Sequence, residues 1–148
     1  MPVDAPDLKH SRTKLDFGIA FYTTPLHEQA LKWCNRFNKP GQDRFVSWYE
    51  FDESAFSDLK ILRFDEYSEE WLDFIVRCRK GEDISDWDLV IGSVANDRVF
   101  NTVELFLDGL IDKTNAIGRL KFEKPNLQIA FRTPRSLLYL HFLESEKL

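Results

Sequence analysis

The sequence predicts an α+β domain built on a mixed sheet. Three observations carry that reading. Four or more short segments have strand character, among them Arg44–Phe51, Leu89–Gly92 and Leu127–Arg132. Two longer segments, Glu69–Lys80 and Arg98–Ile111, repeat apolar residues at helical spacing. The intervals between these segments are too irregular for a doubly wound fold. A chain of 148 residues suffices for one domain, 1–148, with its own core.

In chain order, residues 1–15 are polar with two prolines and no apolar period, and read as an arm or loop. Ala20-Phe21-Tyr22 is a compact aromatic strand preceded by Gly18, whose backbone freedom suits a turn or close approach. Thr24-Pro25 opens a helix as cap and first-turn proline, with Leu26, Ala30, Trp33, Cys34 and Phe37 on one face. Asn38-Lys39-Pro40-Gly41 ends it. Arg44–Phe51 carries aromatics on both faces, so it is central or covered on both sides. A connection over Asp52–Asp58 leads to a strand at Leu59–Phe64.

Ser68 caps the helix Glu69–Lys80, and Gly81 stops it. Arg77, Arg79 and Lys80 sit at its C-terminus, where they complement the helix dipole or form a phosphate site. Leu89-Val90-Ile91-Gly92 is an apolar run of the buried-strand kind. Asn96 or Asp97 caps the next helix, whose buried face is Val99, Val103, Phe106, Leu107, Leu110 and Ile111. Thr114–Gly118 is a short helix or turn. In Leu127–Arg132 the residues Gln128, Ala130 and Arg132 make the more polar side. Thr133-Pro134 caps a short helix. Tyr139–Leu143 continues it or forms a last strand, and Glu144–Leu148 frays.

Composition narrows function. A net charge of −5 leaves no strong basic footprint for nucleic acid. Aromatics at 14% imply a core of large rings or an aromatic-lined cleft. Cys34 and Cys78 read as core thiols in a reducing compartment. With three scattered His and no Cys/His cluster, no metal is expected. No membrane-length apolar run or leader is present, so the cytoplasm is the expected location. There is no Gly-rich dinucleotide fingerprint and no phosphate loop.

The pattern Gly18-x-x-Phe21-Tyr22 with Gln29-Ala30-x-x-Trp33 resembles the second motif of the ADP-ribosyltransferase superfamily. Four ordered blocks, DFGIAFYTT with HEQALKW, SEEWLDFIVRCRKG, DWDLVIGSVANDRVF and KPNLQIAF, resemble DUF3990, a bacterial branch of it. The resemblance implies a split, strongly bent mixed sheet with flanking helices and NAD as substrate. It implies an ADP-ribosyltransferase that passes ADP-ribose to an unidentified acceptor. A toxin of a toxin–antitoxin or phage-defence system, with an antitoxin protein as partner, is among the roles it implies.

Residue by residue, the resemblance gives Gln128 and Tyr22 the catalytic positions. Phe17, Gly18, Tyr22, Thr24, Trp33 and Asn126 become the NAD-binding set. Trp33 falls where a second ring stacks on nicotinamide, although its helical position explains it equally well as core. Such a site fits the chemistry. Cleaving the glycosidic bond of NAD passes through an oxocarbenium-like ribose, and the protein mainly orients and stabilises it.

Two departures bear on activity. Gln128 is neutral, so it can hydrogen-bond a ribose hydroxyl but cannot act as a general base. In the family the first-strand His-Gly precedes a segment like Asp4–Leu8 by several residues, and it has no counterpart in this sequence, which begins Met1-Pro2-Val3; His10, followed by Ser11, reads as an exposed loop residue. Transfer is therefore expected once that strand is restored. The alternatives are a non-catalytic member binding NAD, ADP-ribose or a protein partner, and an unrelated interaction module whose aromatic strands are simply core.

Overall fold

The most apolar strand lies inside the sheet. In a computed structural model, which describes residues 8, 16–37, 41, 43–95, 97–120 and 126–148, β4 (Leu89–Gly92) is buried at every position. It pairs in parallel with β3 (Ile61–Arg63) and antiparallel with β5 (Gln128–Phe131). β5 pairs antiparallel with β1 (Phe21–Thr23), giving a mixed sheet in the order β1-β5-β4-β3. The α+β class with a mixed sheet is thus as the residue pattern indicates.

A second sheet joins β2 (Phe45–Phe51) to β6 (Leu140–Lys147), antiparallel, with a register shift between Trp48 and Tyr49. β2 is therefore not central, but it is covered on both faces. Tyr49 and Phe51 reach the first sheet, with ring centroids 5.8 Å from Phe21 and 5.8 Å from Phe131. Trp48 meets His27 of α1 (His27–Phe37) at 4.9 Å. The C-terminal residues, expected to fray, pair with β2 instead, and the Leu148 N–H donates to the Arg44 carbonyl at 2.8 Å. Strand pairing also decides the ambiguity at Tyr139–Leu143 in favour of a strand.

The other face of the first sheet is covered by α3 (Glu69–Arg79), α4 (Asp97–Leu107) and α5 (Lys113–Leu120). The Ser68 side chain accepts from the Trp71 N–H at 3.1 Å, as its capping role requires. Gly81, with φ of +70°, ends α3 in a conformation that other residues resist. Trp71, Leu72, Phe74, Ile75, Val99 and Val103 fill this layer. The expected buried face of α4 is cut short: Leu107 and Leu110 are exposed.

Two short helices sit in connections, α2 (Ala55–Asp58) and α6 (Pro134–Leu137). α6 has the Thr133 cap and first-turn proline read from the sequence, with reciprocal bonds between Thr133 and Ser136. α1 begins at His27, two residues after Pro25, and Leu26 is exposed. The arm at 1–15 apart from Leu8, with His10, lies outside the described residues. So do residues 38–40, Asn96, residues 121–125, and the side chains of Phe37 and Asp97.

Candidate functional site

The strands bearing Tyr22 and Gln128 are hydrogen-bonded neighbours, so no groove separates them. Tyr22 is opposite Ala130, and Gln128 lies two residues from Ala130 on the same strand. Side chains two apart on a strand, and those directly paired across it, share a face. Tyr22, Gln128, Ala130 and Arg132 therefore lie on one face, together with Gly92 and Val90 of β4.

That face points into the helix layer. Gln128 is 3% exposed and Ala130 is fully buried, so the side expected to be the more polar one is interior. Gly92 makes room for it. A Cβ there would stand 3.2 Å from Cζ of Phe17 and 3.2 Å from Cβ of Phe64. Phe17 is itself fully buried and joins Phe64 and Phe74 in a cluster with ring centroids 5.7–6.3 Å apart. Phe17, nominated for NAD, is thus a core ring in this arrangement.

Three polar knots surround the ring cluster. In the first, the Tyr22 hydroxyl donates to the Gly18 carbonyl at 2.6 Å and accepts from the Phe17 N–H at 3.0 Å. Gly18 has φ of +80°, which closes this turn. Burial pushes the Tyr22 hydroxyl far above the usual tyrosine range, and the Phe17 N–H only partly offsets it.

In the second knot, Asp16 accepts from three segments: the Arg79 guanidinium, the Ala95 N–H at 2.9 Å and Gln128 Nε2 at 3.3 Å. Arg79 is therefore drawn off the helix end toward a carboxylate, while Arg77 lies over the Phe74 ring at 5.6 Å. The third knot is Arg132, whose Nη2 donates to Asp83 at 2.6 Å. Burial raises the Asp83 carboxyl, but hydrogen bonds from Ser85 and Arg132 and the guanidinium charge outweigh it and hold it below the usual range. Cys78, close to Gly18, has its thiol pushed up to about 12, mainly by burial.

The remaining nominees collect at the start of β5. Thr24 Oγ1 donates to the Leu127 carbonyl at 2.7 Å, and the Gln29 amide donates to the same carbonyl at 2.9 Å and accepts from the Leu127 N–H at 3.1 Å. Asn126 Oδ1 accepts from the Val94 N–H at 2.6 Å, and its Nδ2 donates to the Tyr67 hydroxyl at 3.0 Å. Trp33 is half-buried on α1, the helix packed along β2. Tyr22, Gln128, Phe17 and Gly18 thus converge, Thr24 and Asn126 flank them, and Trp33 belongs to a different layer.

Periodicity and motif spacing give no site role to Asp16 or Tyr67; Arg79, read as a helix-end cation or part of a phosphate site, is bonded to Asp16 instead, and Gln29, quoted within the second motif, is bonded to Leu127. A carboxylate directly before a Phe-Gly pair was the available signal for Asp16. Among the described residues no group of three or more His, Cys, Asp or Glu is placed to hold a metal ion. No described helix is long and apolar enough to cross a membrane. An open groove of about 400 Å³ lies between α3 and α4, lined by Asp73, Val76, Arg77, Lys80, Phe106 and Leu107, none of them a nominee.

These features define an α+β protein whose mixed sheet is bonded to its helix layer through buried Asp–Arg and Asp–Gln contacts. The chain belongs to the DUF3990 family, described as Protein of unknown function (DUF3990), whose model matches residues 1–142. No curated protein and no solved structure matches it.

Proposed function

We propose that this chain is an NAD-directed protein of the ADP-ribosyltransferase type. One observation carries the reading. Tyr22 and Gln128, nominated from motifs more than a hundred positions apart, share one face of adjacent strands. The Tyr22 ring would flank nicotinamide, and the Gln128 amide would accept a hydrogen bond from a ribose hydroxyl. The finer reading of the fold, a split and bent ADP-ribosyltransferase-like sheet, belongs to this proposal. So do a bacterial toxin role and an antitoxin partner.

A second reading is favoured by a specific observation. Gln128 is neutral, 3% exposed and bonded to Asp16, and the Tyr22 hydroxyl is taken by its own turn. Such a site suits a non-catalytic member that holds NAD, ADP-ribose or a protein partner.

One experiment separates them. The full chain is incubated with adenylate-labelled NAD and cell lysate, with released nicotinamide followed by chromatography and NAD binding by calorimetry. Labelled macromolecule or released nicotinamide supports transfer or hydrolysis. Binding without turnover supports the second reading. Neither binding nor turnover overturns the NAD-directed proposal.

A further inference from the structure

We propose that Asp16 is a positioning residue that fixes the Gln128 amide so that its carbonyl oxygen is the atom offered to a ligand. The inference rests on the NAD-directed reading and deepens it.

A carboxylate only accepts hydrogen bonds, so the group Gln128 turns toward Asp16 must be its NH2. Nε2 stands 3.3 Å from Asp16 Oδ2. With the nitrogen committed there, Oε1 is the acceptor end of the amide. A free glutamine amide presents either end with little preference. This one presents the end that resembles a carboxylate oxygen. The negative charge behind it polarises the amide further, because charge-assisted bonds strengthen their neighbours in a low-dielectric setting.

Asp16 is itself held firmly. Its Oδ1 takes the Arg79 guanidinium, and its Oδ2 also takes the Ala95 N–H at 2.9 Å. The side chains of Arg79 and Asp16 are only 16% and 12% exposed. The anchor therefore comes from the end of α3 and the loop after β4, and both are tied to the first sheet. This arrangement supplies a hydrogen-bond acceptor for a ribose hydroxyl without placing a charged carboxylate at that position. It fits a ligand with vicinal hydroxyls and gives Gln128 no proton-accepting role.

The test uses the full chain, labelled with nitrogen-15. The Gln128 side-chain NH2 resonances, assigned by their loss in Q128E, should exchange with solvent about tenfold or more slowly than a free amide. That protection should fall in D16N. NAD affinity measured by calorimetry should drop about tenfold in D16N. It should also drop in Q128E, where two carboxylates would face each other. The double variant D16N/Q128E should recover part of the loss seen in Q128E, because the amide introduced at position 16 can donate to the carboxylate introduced at position 128 although it no longer accepts there from the Ala95 N–H.

A purely structural Asp16 would lower the melting temperature and NAD affinity together, whereas a positioning Asp16 lowers affinity and amide protection in a D16N chain that is still folded at the assay temperature. If D16N does not fold, the comparison of Q128E with D16N/Q128E carries the test, and equal affinities for the two overturn the inference. An unprotected amide in the natural chain, or a folded D16N with unchanged NAD affinity, also overturns it. Absence of NAD binding by the natural chain overturns the NAD reading, and the amide measurement then shows separately whether the Asp16–Gln128 bond exists.

Discussion

Replacing Arg132 by Met removes one charge from a buried pair while keeping the length of the stem and the backbone N–H that donates to the Asp88 carbonyl at 2.8 Å. The side chains of Arg132 and Asp83 are 12% and 7% exposed, so neither can turn to water without rearrangement. Asp83 would keep the Ser85 hydroxyl at 2.8 Å but lose the guanidinium at 2.6 Å. The cation stacked 5.6 Å from the Phe74 ring centroid is lost as well. Stranding a buried carboxylate in this way costs about 3–5 kcal/mol. That is a large part of the roughly 5–15 kcal/mol by which a domain is usually stable.

The pair can be read out by urea denaturation followed through tryptophan fluorescence. Asp83 is held below the usual carboxylate range, so its stabilising contribution is present above the unfolded value of about 3.9 and is lost as pH falls through the folded value. The gap between natural chain and R132M should therefore be full near neutrality and shrink in acid. Replacing both partners, R132M with Asp83→Leu, should cost clearly less than R132M alone, since no charge is left stranded. The reasoning is refuted if R132M costs under about 1 kcal/mol at neutral pH, the size of a surface pair. A gap that does not change with pH would refute it equally.

Two further outcomes follow from the same layer. Tyr22→Phe leaves the Phe17 N–H and Gly18 carbonyl without their shared hydroxyl and should lower stability by about 1–3 kcal/mol; in the natural chain, alkaline titration of phenolate absorbance should show one tyrosine ionising well after the ordinary range. Gly92→Ala puts a methyl 3.2 Å from Phe17 Cζ and 3.2–3.3 Å from Phe64. It should cost about 1–3 kcal/mol by overpacking, seen as a lower melting temperature, and an unchanged or raised one would mean the rings yield freely.

Much of the fold was legible because its signals are local. Ser68 and Thr133 announce their helices through hydrogen bonds made within three residues. The run Leu89–Gly92 announces burial by having no polar side. The errors lie where a distant partner decides. Residues 144–147 look like a fraying tail until β2 supplies the missing hydrogen bonds. Gln128 marks a polar side only until Asp16, 112 positions away, accepts its amide and lets it be buried. Leu110 has the spacing of a buried residue, but α4 ends at Leu107, Gly109 turns the chain with φ of +74°, and Leu110 is left 71% exposed.

By itself the sequence determined the α+β class, most of the strands and helices, and the pair Tyr22 and Gln128 as residues to watch. The class and the elements follow from periodicity and caps, which act over a few bonds; the pair follows from the resemblance of the motifs around them to the ADP-ribosyltransferase superfamily. Only the tertiary structure decided that the two share a face, that Phe17 fills the space beside them, and that Asp16 and Arg79 belong with them. Strand register and the pairing of buried charges depend on the whole chain, because each such group is stable inside only when its partner arrives from somewhere else.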